Sequence, residues 1–149
     1  MVTIASVRSA QHGDLHEWMG LFDGCCAAIG QESDPGLTMA LWARILDPMN
    51  PLHCAFASIG GNLIGLVHFH LHLTTRSIHP VCRIEDLFVS ENGRGFGAGR
   101  ALVEVAKEHA RAGGCASIRW DGVQADAQSL AFGAAIGATQ NGSSFTLAL

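Results

Sequence analysis

The 149-residue chain contains no tyrosine, so no phenol is available anywhere in it as a proton donor. Lysine and arginine number nine against thirteen aspartates and glutamates, for a net charge of −4. That balance argues against a phosphate-tracking nucleic-acid surface and tolerates a cationic substrate. No apolar run approaches the ~20 residues of a membrane span. Met1–Arg8 does not lead from a charged segment into an apolar signal core, so a cytoplasmic protein with no membrane partner is expected. The five cysteines, Cys25, Cys26, Cys54, Cys82 and Cys115, are odd in number and lack Cys-x-x-Cys spacing. Neither a disulfide framework nor a zinc knuckle fits that pattern, which leaves buried thiols. What the chain has is apolar content, 48%, enough for the core of one domain spanning 1–149.

The periodicity sets out an order of elements. Thr3–Val7 reads as a short strand. Leu15, Trp18, Met19, Phe22, Cys25, Cys26 and Ile29 recur at helical steps, with Asp14 and Glu17 spaced as a capping box and Gly30 placed to close the helix. Leu37–Leu46 predicts a second helix that stops at Asp47-Pro48. Strands His53–Ile59 and Leu63–Leu73 flank the turn signal Gly60-Gly61-Asn62, and Val81–Val89 adds a third antiparallel strand. Gly97–Ala112 returns to helical period, Ala116–Trp120 is a strand, Asp126–Ile136 a short helix and Ser144–Leu149 a last strand. The fold class is α/β in the α+β sense: a mixed, mostly antiparallel sheet with helices on both faces.

Glu85-Asp86-Leu87-Phe88-Val89 runs through Ser90-Glu91-Asn92 into Gly93-Arg94-Gly95-Phe96-Gly97-Ala98-Gly99-Arg100, a strand, a glycine-rich turn and a helix start. Bare backbone N–H groups at the positive end of a helix make a phosphate site. A tight turn that merely uses glycine is the plainest alternative. A nicotinamide or flavin site is another, since Gly93-x-Gly95-x-x-Ala98 has the G-x-G-x-x-G/A form and Asp121 follows the next strand. Three residues intervene before Gly93, however, and 28 residues after Asp121 are too few for the remaining strand-helix units of that fold.

Arg94-x-x-Gly97-x-Gly99 resembles the R/Q-x-x-G-x-G/A signature of the GNAT acyltransferases. Glu85-Asp86-Leu87-Phe88-Val89 is similar to the bulged strand of the polyamine- and histone-acetylating members. Asp126-x-x-Ser129-x-x-Phe132-Gly133-x-x-x-Gly137-Ala138 resembles the downstream pattern N-x-x-A-x-x-F-Y-x-x-x-G-F/A. The resemblance implies acetyl-CoA as cosubstrate and no metal. Its pyrophosphate would rest on the amides of Arg94, Gly95, Phe96, Gly97, Ala98, Gly99 and Arg100, and its pantetheine arm on Leu87, Phe88 and Val89, with Asp126, Ser129 and Phe132 bordering the cofactor. The arm would pair like an added strand between Arg83–Val89 and Ala116–Trp120 where they splay.

The same resemblance places a working glutamate at Glu85, which would take the proton of the attacking ammonium, and an oxyanion donor at the N–H of Phe88 or Val89. Strand alternation turns Asp86 to the opposite face, so the two acids are not expected to act together. The family's tyrosine, which often protonates the departing thiolate, falls on Gly133. A thiol of pKa ~8.5 leaves tolerably near neutral pH with a proton from water. The implied reaction is direct transfer of acetyl to a primary amine of a small molecule, a polyamine or an amino-acid-like acceptor. A catalytically weak acyl-CoA-binding or sensor module is the reading that Gly133 keeps open.

His68, His70 and His72 alternate along one strand and project from one face. Three imidazoles so placed can share a metal, but a polar sheet face near the substrate or at a homodimer contact is preferred. Trp18, Phe22 and Trp42 read as core or cleft lining. Arg76 and His79 lie in the turn Thr74–Pro80, which, with Gly30–Pro51, is expected to shape the acceptor pocket.

Overall fold

The computed structural model describes residues 4–121 and 127–138; the expected strand Ser144–Leu149 lies outside them. Five strands form one sheet in sequence order: β1 Ser6–Ser9, β2 Leu52–Ile59, β3 Asn62–His72, β4 Val81–Val89 and β5 Ser117–Trp120. The first four are antiparallel neighbours, and β5 runs parallel to β4. Two helices, α1 Leu15–Ala28 and α2 Pro35–Leu46, precede β2; α3 Ala98–Ala112 links β4 to β5, and α4 Ala127–Ala135 follows. The first strand begins three residues later than its expected start. The other bounds fall within two residues of the periodicity.

Alternation on the strands builds two cores. Ala55, Ala57, Val67, Phe69, Cys82 and Ile84 face one way and bury against Ala98, Leu102, Val103, Ala106 and Ala110 of α3. The alanines let the helix approach the sheet closely, and Phe132 and Ile136 pack against the same layer. On the opposite face Cys54, Phe56 and Leu66 meet Trp18, Leu21 and Trp42 of α1 and α2. Trp18 is fully buried there, stacked on Phe22 at 5.2 Å between ring centres and tilted against Trp42 at 4.9 Å. No helix among the described residues is long and apolar enough to cross a membrane.

Helix α1 does not start as its sequence suggests. Asp14 stands at the N-cap position but makes no cap bond. Arg8 of β1 holds both its oxygens, Nη1 to Oδ2 at 2.7 Å and Nη2 to Oδ1 at 2.8 Å, and the Gln11 N–H donates to Oδ2 at 2.8 Å. The capping contact thus forms three residues earlier, around the 3-10 turn His12–Asp14. Glu17 accepts instead from the Leu63 N–H. A bidentate guanidinium outcompetes a local cap because both partners are ionised.

The Arg8 hydrogen bond holds the Asp14 carboxyl below its ordinary value against the opposing effect of burial. Its contribution to stability is therefore present above the usual carboxylate range and lost as pH falls through the depressed folded value. Asp14→Asn is expected to cost about 1 kcal/mol at pH 7, the half-exposed guanidinium being screened. Thermal melts at pH 7 and pH 3 should show the wild-type advantage at the higher pH and its shrinkage at the lower. An equal gap at both would assign the loss to packing.

Candidate active site

The register between β3 and β4 slips once. His68 faces Asp86 while the next residue, Phe69, faces Ile84, so Glu85 has no partner and forms a β-bulge. An extra residue restarts the alternation, and Glu85 and Asp86 both turn toward the face covered by α1 and α2. This corrects the expectation that Asp86 points away from Glu85. A signal for it stands in the sequence: the inward apolar positions run Cys82, Ile84, then Leu87, Val89, a step of two widening to three across the two acids.

Each acid meets a histidine. Asp86 Oδ2 lies 2.8 Å from His68 Nδ1, and Trp18 Nε1–H donates to His68 Nε2 at 3.0 Å. Since Nε2 accepts, the ring hydrogen sits on Nδ1 and points at Asp86. His68 is buried, and the chain Trp18–His68–Asp86 is fixed by packing. Glu85 is more open. Its Oε1 lies 2.8 Å from His70 Nε2 and accepts from Arg83 Nε at 3.0 Å, while Arg83 Nη2 also donates to Asp121. Both contacts fall on one oxygen. Glu85, Asp86 and His68 form one side of a cleft of about 170 Å³, with Trp18 and Phe22 beside them. Helix α2 supplies the opposite wall, so Gly30–Pro51 does contribute; the Thr74–Pro80 turn does not line it, and Arg76 and His79 make only local turn bonds. Among the described residues no three His, Cys, Asp or Glu side chains are grouped to hold a metal ion, the three strand histidines included.

The bulge coincides with the parting of two strands. Parallel pairing of β4 with β5 runs from Val81/Ser117 to Ile84/Trp120, while β4 continues to Val89. The Ser90 N–H donates to the Ile64 carbonyl at 2.8 Å. Alternation along that antiparallel ladder turns the N–H groups of Asp86 and Phe88 toward β3 as well, leaving those of Leu87 and Val89 on the side β5 has vacated. Beyond Val89 the chain makes a 3-10 turn, Glu91–Gly93, and enters α3.

The glycines of this loop have different jobs. A Cβ on Gly93 would meet the Ile64 Cβ at 2.6 Å, so Gly93 serves packing, and Asp121 is paired with Arg83; neither is arranged as a dinucleotide motif needs. Gly97 caps α3 at φ +74°, a backbone that side chains rarely adopt, and nothing lies within 4 Å of where its Cβ would be. Arg94 and Gly95 are exposed beside it. Phe96 packs on the core, Ala98 is buried under the first turn, and a Cβ on Gly99 would touch the Phe132 ring at 3.2 Å. Arg100 donates to the Ala135 carbonyl at the end of α4. Leu87 and Val89 pack toward α3, and Phe88 packs toward α1, against Gly24. Asp126 lies outside the described residues, and Ser129 falls within α4.

Gly133 is not surrounded by empty space. A Cβ there would lie 4.0 Å from Trp120 Cζ2, so an indole stands beside the position to which the sequence resemblance assigns a tyrosine. An indole N–H donates a hydrogen bond but is no acid.

A mixed sheet with helices on both faces and a parting β4–β5 pair is the fold of acyl-CoA N-acyltransferases. The aminoglycoside N-acetyltransferase AAC(6')-Iy, in complex with a bisubstrate analogue of CoA and acetylneamine, superposes with a TM-score of 0.85 over 99% of each chain at 18% identity. The ribosomal-protein-alanine N-acetyltransferase of Brucella melitensis gives 0.80 over 97% of this chain and 99% of that one, also at 18% identity. At such identities the likeness establishes the fold. In sequence, a model of the acetyltransferase (GNAT) family matches residues 15–137, and the chain belongs to that family of acyltransferases. The D-amino-acid N-acetyltransferase of Saccharomyces cerevisiae is 33% identical over 88 residues, 58% of this chain and 55% of that protein. The match thus spans about half the length of that curated relative.

The thiols are not built as nucleophiles. Burial, with the Asp86 carboxylate close by, pushes the Cys25 thiol up to about 12, and burial pushes Cys82 up to about 11; Cys54 is raised for the same first reason. At pH 8 these groups hold almost no thiolate, the reactive form. Alkylation of the folded protein with iodoacetamide should fall on the half-buried Cys115 alone, and all five should react after unfolding. Rapid labelling of Cys25 in the native state would contradict the geometry.

Proposed function

We propose that this acyltransferase moves the acetyl group of acetyl-CoA directly onto the primary amine of a small molecule, without a covalent acyl-enzyme. The reading is carried by one observation: the vacated edge of β4, with the Leu87 and Val89 N–H groups, begins at the bulge that turns Glu85 to the cleft. An acyl chain lying along that edge and an amine entering from the cleft would meet at the same residue. The phosphates would rest on the amides around Gly97 at the positive end of α3, with Arg94 as the neighbouring cation. The sequence expects a polyamine or an amino-acid-like acceptor, and the yeast relative bears the latter description.

In this mechanism the ammonium loses a proton to Glu85, directly or through water. The free amine attacks the thioester carbonyl, and the oxyanion of the tetrahedral intermediate accepts from an N–H of the vacated edge, that of Leu87 or Val89, since alternation turns the Phe88 N–H toward β3. The C–S bond then breaks, the nitrogen gives its extra proton to water as the amide forms, and the thiolate takes a proton from water, the chain having no tyrosine. Arg83 and His70 steady Oε1 of Glu85 and leave the other oxygen for the proton. The Trp120 indole beside Gly133 supports a second reading, an acyl-CoA-binding module with little turnover, which release of free CoA with any amine would dismiss.

Glu85→Gln keeps the shape and removes the base. Its kcat/KM should fall by ~10²–10⁴ near neutral pH with acetyl-CoA affinity little changed. The defect should narrow as pH approaches the amine's own value near ~10, where the acceptor deprotonates unaided. Equal turnover at every pH would reassign the base. Gly97→Val puts a branched side chain at a positive φ and fills the open cradle, so calorimetric binding of acetyl-CoA should vanish in a folded variant. Unchanged affinity would remove the loop from the site.

A further inference from the structure

The cleft that Glu85 faces has a composition of its own. Opposite the two carboxylates stand Leu41 and Ile45 of α2 and Leu52 of β2, and the Trp18–Phe22 stack closes the side at 8° between ring planes. Among the described residues no lysine or arginine lines it. The nearest guanidinium, Arg83, is already divided between Glu85 and Asp121. Asp86 is held by His68, itself fixed by Trp18, so this carboxylate cannot swing away from a ligand. The cleft therefore offers negative charge at one end and hydrocarbon everywhere else.

Resting on the acetyl-transfer reading above, we propose that the acceptor is a primary monoamine with an apolar or aromatic body and no carboxylate, rather than a polyamine or an amino acid. One ammonium is matched by Glu85 and Asp86. A carboxylate on the adjacent carbon would meet two like charges, and the guanidinium beside them, Arg83, is already engaged by Glu85 and Asp121. A second ammonium one short alkyl chain away would be pressed against Leu41, Ile45 and Leu52, where nothing replaces its water. An alkyl or aryl body gains there instead, and free space of about 170 Å³ admits a body the size of one aromatic ring with a two-carbon arm.

Matched pairs of amines test this, with release of the free CoA thiol as readout. Across propylamine, butylamine and pentylamine, kcat/KM should rise about fourfold per methylene. Phenethylamine should exceed both enantiomers of phenylalanine, and pentylamine should exceed 1,5-diaminopentane, each by at least tenfold. Leu41→Asp, at a half-buried helix position, should bring the diamine closer to the monoamine; Ile45→Asp serves if that variant does not fold. A diamine or an amino acid turned over as well as its apolar match would overturn the acceptor class and leave acetyl transfer standing. Acetyl-CoA binding without CoA release from any of these amines would overturn both.

Discussion

Between His68 and Phe69, β4 carries one residue more than the strand it pairs with, and much of the site follows from that single excess. A regular ladder would place Glu85 and Asp86 on opposite faces, one of them in the apolar layer beneath α3, where an unpaired carboxylate costs several kcal/mol. The bulge avoids that cost and sends both acids to the face where β3 presents its histidines. A bulge also bends its strand and increases the local twist. Pairing with β5 stops at Ile84, the residue before it. One insertion thus accounts for the acidic side of the cleft and for the opening between the parallel strands.

The two acids, though adjacent, are supported differently. Asp86 belongs to a chain of hydrogen bonds that ends in a fully buried tryptophan, and both atoms of its partner imidazole are satisfied. Such a network is rigid, because breaking any link strands a buried polar group. Glu85 sits nearer solvent, its contacts made through one oxygen to His70 and Arg83. A fixed charge suits recognition of an ammonium, and a carboxylate with an oxygen to spare suits proton transfer. No buried side-chain polar atom among the described residues lacks a partner.

The elements that the sequence makes legible are those where pattern and packing agree. The α3 face of Ala98, Leu102 and Ala106, the Gly60-Gly61 hairpin with both glycines at positive φ, and the three consecutive antiparallel strands all follow from period and turn chemistry. The loop glycine at Gly97 is legible for the same reason. What escapes is set by long-range partners. Asp14 looks like a cap until Arg8 claims it, and Glu85 and Asp86 look like alternating residues until the ladder slips. Gly133 reads as a missing acid, but that an indole stands beside it depends on how β5 meets α4.

The coupling of the bulge to the chemistry is tested most directly by a crystal structure of the protein with CoA and phenethylamine bound together. In that complex the amine nitrogen should lie within hydrogen-bond distance of Glu85, its ring against Trp18 and Phe22, and the pantetheine arm along the Leu87–Val89 edge of β4. An amine bound away from Glu85, or a CoA arm that leaves that edge uncovered, would contradict it.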